Sequence, residues 1–252
     1  MYRFHAVIIS SRRMVCGMTT TIATSLPGNG PSTAAVRSVN LPGPAGRLEA
    51  LVNEGAPEAS YAALLCHPHP LGGGNLHNKV VYHAMKALND PEWGLGWPVL
   101  RFNFRGVGLS EGVHDGEAEA DDVWAALEWL GNNYERPLVV VGFSFGAMMA
   151  LGACCRASQS SAPVRALAML GLPTQVEGRD YHYPDIKNCT IPKLFLSGAN
   201  DQYAPAAQLA QLAASAAKPQ ELVLLSGADH FFTGQLEPLQ STLAGWLKEQ
   251  LQ

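Results

Sequence analysis

Five residues, Gly142-Phe143-Ser144-Phe145-Gly146, constrain this chain more than any others. They separate an apolar stretch of strand composition, Leu138–Val141, from an apolar helical one, Ala147–Cys154. A serine at such a junction stands on a sharp, strained turn that lifts its hydroxyl above the sheet edge. Glycines two residues to either side leave room for neighbouring chain. Gly-x-Ser-x-Gly also arises by chance, and the strand before and helix after are what give this match its meaning.

A serine hydroxyl is a poor nucleophile at neutral pH, so it needs a base, and the base needs an orienting acid. In a strand-turn-helix setting the chain order is Ser, then Asp or Glu, then His. Only His182 and His230 lie downstream of Ser144. His230 follows an apolar strand pattern, at the carboxyl end where α/β sites form, whereas His182 reads as a solvent-facing loop residue. Asp201 follows the strand pattern Lys193–Ser197 and is the expected acid, although a turn or cap aspartate would also suit that place. Asp229 adjoins His230 and is poorly placed to meet its ring; Asp180 and Asp185 lie in an irregular segment. The reading is therefore Ser144 as nucleophile, His230 as base and Asp201 as orienting acid.

Acyl transfer also needs donors for a developing oxyanion. One expected donor is the Phe145 backbone N–H. The other should come from the loop Cys66-His67-Pro68-His69-Pro70-Leu71-Gly72-Gly73-Gly74. The two prolines have no N–H, which leaves His69 and Leu71, with His69 preferred. Two histidines here also suggest metal, but no third ligand lies nearby in sequence, so no metal is expected. Gly72–Gly74 lacks both nucleotide-binding spacings, and no cofactor is expected. Arg105 in the glycine-rich turn Arg105–Gly112 reads as a structural ion-pair partner.

Strand patterns cover Ala35–Leu41, Arg47–Asn53, Ala62–Cys66, Pro98–Asn103, Leu138–Phe143, Ala166–Leu170, Lys193–Ser197 and Glu221–Leu225. Helical patterns cover Leu76–Leu88, Glu117–Asn132, Phe145–Arg156, Pro205–Ala217 and Gln235–Leu251. This alternation predicts an α/β fold with a mainly parallel eight-stranded sheet and helices on both faces. The short link Pro42–Gly46 makes the first two strands an antiparallel hairpin. Pro173–Pro192 has no strong period and is a candidate for a minimal lid.

Apolar residues form 47% of the chain and charged residues 15%, which excludes a disordered polymer. The net charge of -4 hides an asymmetry: residues 1–48 hold five arginines and no acid, so all 21 acidic residues fall later. An acidic body argues against nucleic-acid binding. Residues 1–35 are expected to be a flexible head, with three readings: a disordered tail, an upstream start with Met18 as the natural one, or an organellar transit peptide. The folded domain would then run over 36–252. No apolar run reaches the roughly 20 residues of a membrane span. Five cysteines without a Cys-x-x-Cys spacing suit reduced thiols and a cytoplasmic protein. Nothing in the sequence sets an oligomeric state.

From about Val36 to Leu251 the chain resembles the α/β-hydrolase superfamily, and within it the small bacterial serine hydrolases loosely related to dienelactone hydrolase. The resemblance rests on His67–Pro70, Asn78–Val81, Phe104–Ser110 and Gly142–Gly146 together. It implies Ser144, Asp201 and His230 as a triad. Dienelactone hydrolase itself uses cysteine as nucleophile, so its specificity does not carry over. The expected activity is cleavage of small to medium carboxylic esters, with thioester or amide hydrolysis and acyl transfer as alternatives on the same triad. A ligand-binding module that kept the fold is the alternative of another class.

Overall fold

The computed structural model describes residues 35–156, 163–176, 178–179 and 181–252. The head expected over residues 1–35 lies outside them up to residue 34, as do Cys16, Met18 and Asp180.

Eight strands form one sheet in the order β1-β2-β4-β3-β5-β6-β7-β8. They are β1 (Val36–Gly43), β2 (Gly46–Asn53), β3 (Ala62–Cys66), β4 (Val99–Phe102), β5 (Leu138–Phe143), β6 (Val164–Leu170), β7 (Lys193–Gly198) and β8 (Gln220–Leu225). β2 runs antiparallel to both β1 and β4, and all other pairings are parallel. The central strands β3 and β5 are buried at every residue. That is why they read as unbroken apolar runs rather than as alternating ones.

Five α-helices cover the sheet: α1 (Lys79–Asn89), α2 (Glu119–Tyr134), α3 (Phe145–Arg156), α4 (Ala206–Ser215) and α5 (Leu236–Gln250). Residues of α1 and α5 share one buried apolar cluster with one face of the sheet, built on Leu65, Val141, Leu170 and Leu196. Residues of α2, α3 and α4 share the cluster on the other face, with Leu64, Val140, Leu167 and Phe195. Successive strand residues alternate between the two clusters, which is the two-residue period of a pleated strand buried on both faces.

Two helix starts depart from the sequence pattern. α1 begins at Lys79, not Leu76, because the polar groups of the preceding turn are committed elsewhere. The Leu76 N–H donates to Asn103 Oδ1 at 2.7 Å and the His77 N–H to Asn75 Oδ1 at 2.9 Å. Asn78 then caps the helix, its Oδ1 accepting the Val80 N–H at 2.9 Å, a contact worth about 1 kcal/mol. α2 begins at Glu119 with three acids in its first turn, where they suit the positive end of the helix dipole. Between β6 and β7, the candidate lid holds only a bridge between Val176 and Arg179 and a short turn of 3-10 helix, Pro184–Lys187. Among the described residues no helix is long and apolar enough to cross a membrane.

Candidate active site

Ser144 stands between β5 and α3 with φ at +55°, a backbone conformation rare for any residue but glycine. Its N–H donates to Leu170 O on β6 at 2.8 Å, and its carbonyl accepts from Ala147 N at 2.9 Å. The turn is held from both sides, which is what lets so strained a residue persist. The flanking glycines are needed for space. A Cβ on Gly142 would fall 2.4 Å from Gly146 O, and one on Gly146 would fall 2.4 Å from Cys66 O.

The structure brings Ser144, His230 and Asp201 into one hydrogen-bonded line. Ser144 Oγ lies 3.0 Å from His230 Nε2, and His230 Nδ1 lies 2.8 Å from Asp201 Oδ2. Asp201 and His230 are both 3% exposed. Every oxygen of Asp201 is engaged: Oδ2 also accepts from Ser197 Oγ at 2.8 Å, and Oδ1 accepts from Tyr203 N at 2.8 Å and Ala204 N at 3.0 Å. Burial alone would raise the pKa of Asp201, but the His230 hydrogen bond and charge, with the Ser197 and Tyr203 donors, outweigh it and hold the carboxyl below its ordinary value. With Asp201 ionised, Nδ1 carries the proton and Nε2 faces Ser144 as the acceptor.

Asp229, the rival acid, is occupied otherwise: its Oδ1 accepts the N–H groups of Phe231 at 3.0 Å and Thr233 at 2.9 Å. Asp185 and His182 are exposed on the segment before β7. Of the two candidate donors in the loop, Leu71 gives its N–H to His69 Nδ1 at 3.1 Å. The N–H groups of His69 and Phe145 have no acceptor among the described residues.

A family model described as an alpha/beta hydrolase domain matches residues 72–245. The chain belongs to the α/β-hydrolase family. An uncharacterized protein of Rickettsia prowazekii is 34% identical over 213 residues, covering 81% of this chain and 86% of that one. Among solved structures, an alpha-beta serine hydrolase homologue from Coxiella burnetii is 34% identical with a TM-score of 0.74, covering 84% of this chain and 97% of that one. A serine hydrolase without lid from Xanthomonas campestris is 30% identical, also at 0.74, covering 85% and 94%.

In this α/β hydrolase the Ser144 hydroxyl opens into a cleft of about 340 Å³. Apolar walls come from Leu71, Pro173, Val176 and Phe231. Leu71 is 79% exposed and Phe231 51%. Of the four phenylalanines near the elbow, Phe143, Phe145 and Phe232 are buried, and Phe145 and Phe231 line the cleft. Arg179 is the charged side chain of the cleft wall, and neither Asp nor Glu lines it among the described residues.

The two loop histidines of the hydrolase differ in duty. His67 is fully buried, its Nδ1 2.6 Å from Pro68 O and its Nε2 accepting the Phe104 N–H at 3.0 Å. Burial pushes its pKa down to about 4, and with both nitrogens committed it braces the loop as a neutral ring. His69 lines the cleft. Its pKa is also pushed down to about 4, first by burial and then by the nearby charges of Arg179 and His114. Arg105 is indeed an ion-pair partner, its Nη2 2.7 Å and its Nε 3.0 Å from the oxygens of buried Asp122.

Several supporting residues escape sequence patterns. Ser197, at the end of β7, is indistinguishable from any strand serine until Asp201 folds back on it. Gly171 carries φ +53°, and a Cβ there would lie 3.1 Å from His230 Cε1. The nearest sequence signal for it was a glycine immediately after a buried strand.

Proposed function

We propose that this protein is a serine hydrolase that cleaves small to medium carboxylic esters through an acyl-enzyme on Ser144. The observation that carries this reading is the unbroken line Ser144 Oγ, His230, Asp201, with the serine on a strained turn at the floor of a cleft.

In this reading Ser144 Oγ attacks the acyl carbon while His230 Nε2 takes its proton. The carbonyl π electrons move to oxygen, and the N–H groups of Phe145 and His69 hold the resulting oxyanion. Asp201 keeps the imidazole in its tautomer and stabilises the imidazolium. The oxyanion collapses, the ester C–O bond breaks, and His230 gives its proton to the departing alcohol. Water then attacks the acyl-serine with His230 as base, a second tetrahedral species forms and collapses, and the acid leaves with Ser144 reprotonated. Each oxyanion donor is worth about 10²–10³-fold in rate in such sites.

The size of the cleft supports compact substrates, since about 340 Å³ is near the lower end of small-molecule sites. Its wall favours an acyl group that is apolar near the ester and negatively charged further out. The departing alcohol must sit by His230, which protonates it, so the acyl chain extends away from His230 along the cleft. Arg179 lines the same cleft as His69. A carboxylate there would gain a charge-assisted contact.

The test is labelling with an organophosphonate, followed by activity across ester, thioester and amide panels. Labelling at Ser144, with turnover greatest on esters and lost in Ser144→Ala, is expected. A folded protein with unmodified Ser144, or with unchanged turnover in Ser144→Ala, would overturn the reading.

A further inference from the structure

A second histidine-carboxylate pair lies behind the first. Glu119, in the first turn of α2, is a wholly buried carboxylate, and His114 Nδ1 lies 2.6 Å from its Oε1. The same oxygen accepts the Asp115 N–H at 3.2 Å, and Oε2 accepts the Gly116 N–H at 3.0 Å. A buried acid with this many donors is an anchor, because losing any one of them would leave a buried polar group unpaired. Glu119 therefore fixes both the backbone of the loop ahead of α2 and the ring that this loop carries.

The His114 ring does not reach the Ser144 line. It packs on His69 and Phe145, the two residues read here as the oxyanion donors. Its centroid is 4.9 Å from that of His69 and 5.6 Å from that of Phe145, both edge-on. His69 and Phe145 are themselves 4.9 Å apart, and Phe145 rests on Phe104 at 5.5 Å. His69 comes from the loop after β3 and Phe145 from the start of α3, so the β3–β5 pairing that ends at Cys66 and Gly142 holds them near each other, and side-chain packing sets the rest of their spacing. The ring that touches both is the His114 imidazole, and Glu119 decides where that ring sits.

We propose that His114, held by Glu119, is a positioning residue that sets the spacing of the two oxyanion donors. This rests on the reading of His69 and Phe145 as those donors. Two N–H groups converge on one oxygen only if their separation is right to a few tenths of an ångström, and electrostatic stabilisation of a transition state depends on that preorganisation. A loosened ring would relax the donors, weakening the transition state while leaving ground-state contacts in the cleft in place.

The experiment compares wild type, Ser144→Ala, His114→Ala, Glu119→Gln and the His114→Ala/Glu119→Gln double variant. It measures kcat and KM on a p-nitrophenyl ester, inhibition by an alkyl boronic acid that mimics the tetrahedral species, and thermal unfolding. His114→Ala should lower kcat about tenfold with KM within twofold, and weaken boronic acid inhibition by the same factor. Glu119→Gln keeps a hydrogen-bonding oxygen and should lose less, and the double variant should be no worse than His114→Ala, because the pair acts as one unit. Folded His114→Ala with wild-type kcat and boronate inhibition, a loss confined to KM, or additive losses in the double variant would overturn the proposal. If Ser144→Ala retained wild-type turnover, the serine hydrolase reading itself would fail; if only the His114 variants behaved as wild type, the fault would lie with this inference alone.

Discussion

One oxygen of Asp201 serves two neighbours: Oδ2 lies 2.8 Å from His230 Nδ1 and 2.8 Å from Ser197 Oγ. The hydroxyl can only donate to that oxygen, because the carboxylate has no proton to give. Ser197 therefore supports the ionised form of Asp201, and through it the tautomer of His230.

Asp201→Asn should keep the fold and lose activity. An amide in that place can turn its NH₂ group toward Nδ1, which favours the imidazole tautomer with its proton on Nε2 and no lone pair for Ser144. A fall of about 10³–10⁴-fold in kcat is expected, with little change in KM. Ser197→Ala should be milder, a loss on the order of tenfold, since three other contacts to Asp201 remain. Steady-state kinetics on a p-nitrophenyl ester measures both.

The same carboxylate makes stability pH-dependent. The folded pKa of Asp201 is held below its unfolded value, near 3.9, so the folded state binds the proton more weakly than the unfolded one. This contribution is fully present above the unfolded pKa and is lost as the pH falls through the folded one. Asp201→Asn removes it. Its melting temperature, compared with wild type from pH 7 down to pH 2, should show the largest gap at neutral pH and a narrowing gap below about pH 4.

Gly146→Ala should be damaging although the added group is one methyl. Its Cβ would meet the carbonyl oxygens of Cys66 at 2.4 Å and His67 at 2.5 Å, and backbone cannot rotate away as a side chain would. A loss of about 1–3 kcal/mol is expected, with a larger proportional loss of activity because the displaced loop carries His69. Urea unfolding together with kcat/KM checks both parts. Gly245→Ala, on α5 with open space around it, is the matched control and should keep wild-type activity while gaining about 0.5–1 kcal/mol of stability, as loss of a helix glycine does.

Arg179 should separate charged from neutral acyl groups. Mono-p-nitrophenyl glutarate and p-nitrophenyl valerate are near-isosteres that differ in a terminal carboxylate. Wild type should favour the glutarate, and Arg179→Gln should lower kcat/KM for it about tenfold, or ~1.4 kcal/mol, while leaving the valerate within twofold. Equal effects on both esters would remove Arg179 from substrate recognition.

The parts of the fold that were legible in the sequence are those with local causes. β3 and β5 are continuous apolar runs because both faces are covered, and the Pro42–Gly46 link is too short for a parallel crossover. Ser144 was legible from its glycine neighbours and flanks, and Asp201 and His230 from their order and their places after strands. The start of α1 was not, because it depends on Asn103, 27 residues away from Leu76, taking an N–H. Nor was the competition between His69 and Leu71 as donors, which turns on where a histidine side chain points. His114 and Glu119 were invisible for a different reason: each is an ordinary residue until packing sets one ring against two others.

Ser144, Asp201 and His230 all sit at the carboxyl ends of strands, whereas Pro173, Val176, Arg179 and Tyr181 of the cleft wall belong to the single irregular stretch between β6 and β7. The chain thus divides the labour of its site between two materials. On the proposed reading, bond-making falls to the strand ends, and choice of substrate to a short excursion rooted in the core by Leu172 and Ile186. On that reading, exchanging the exposed part of the excursion, with Leu172 and Ile186 kept, would change what the protein accepts without disturbing how it acts, and relatives with the same machinery need share none of its preferences.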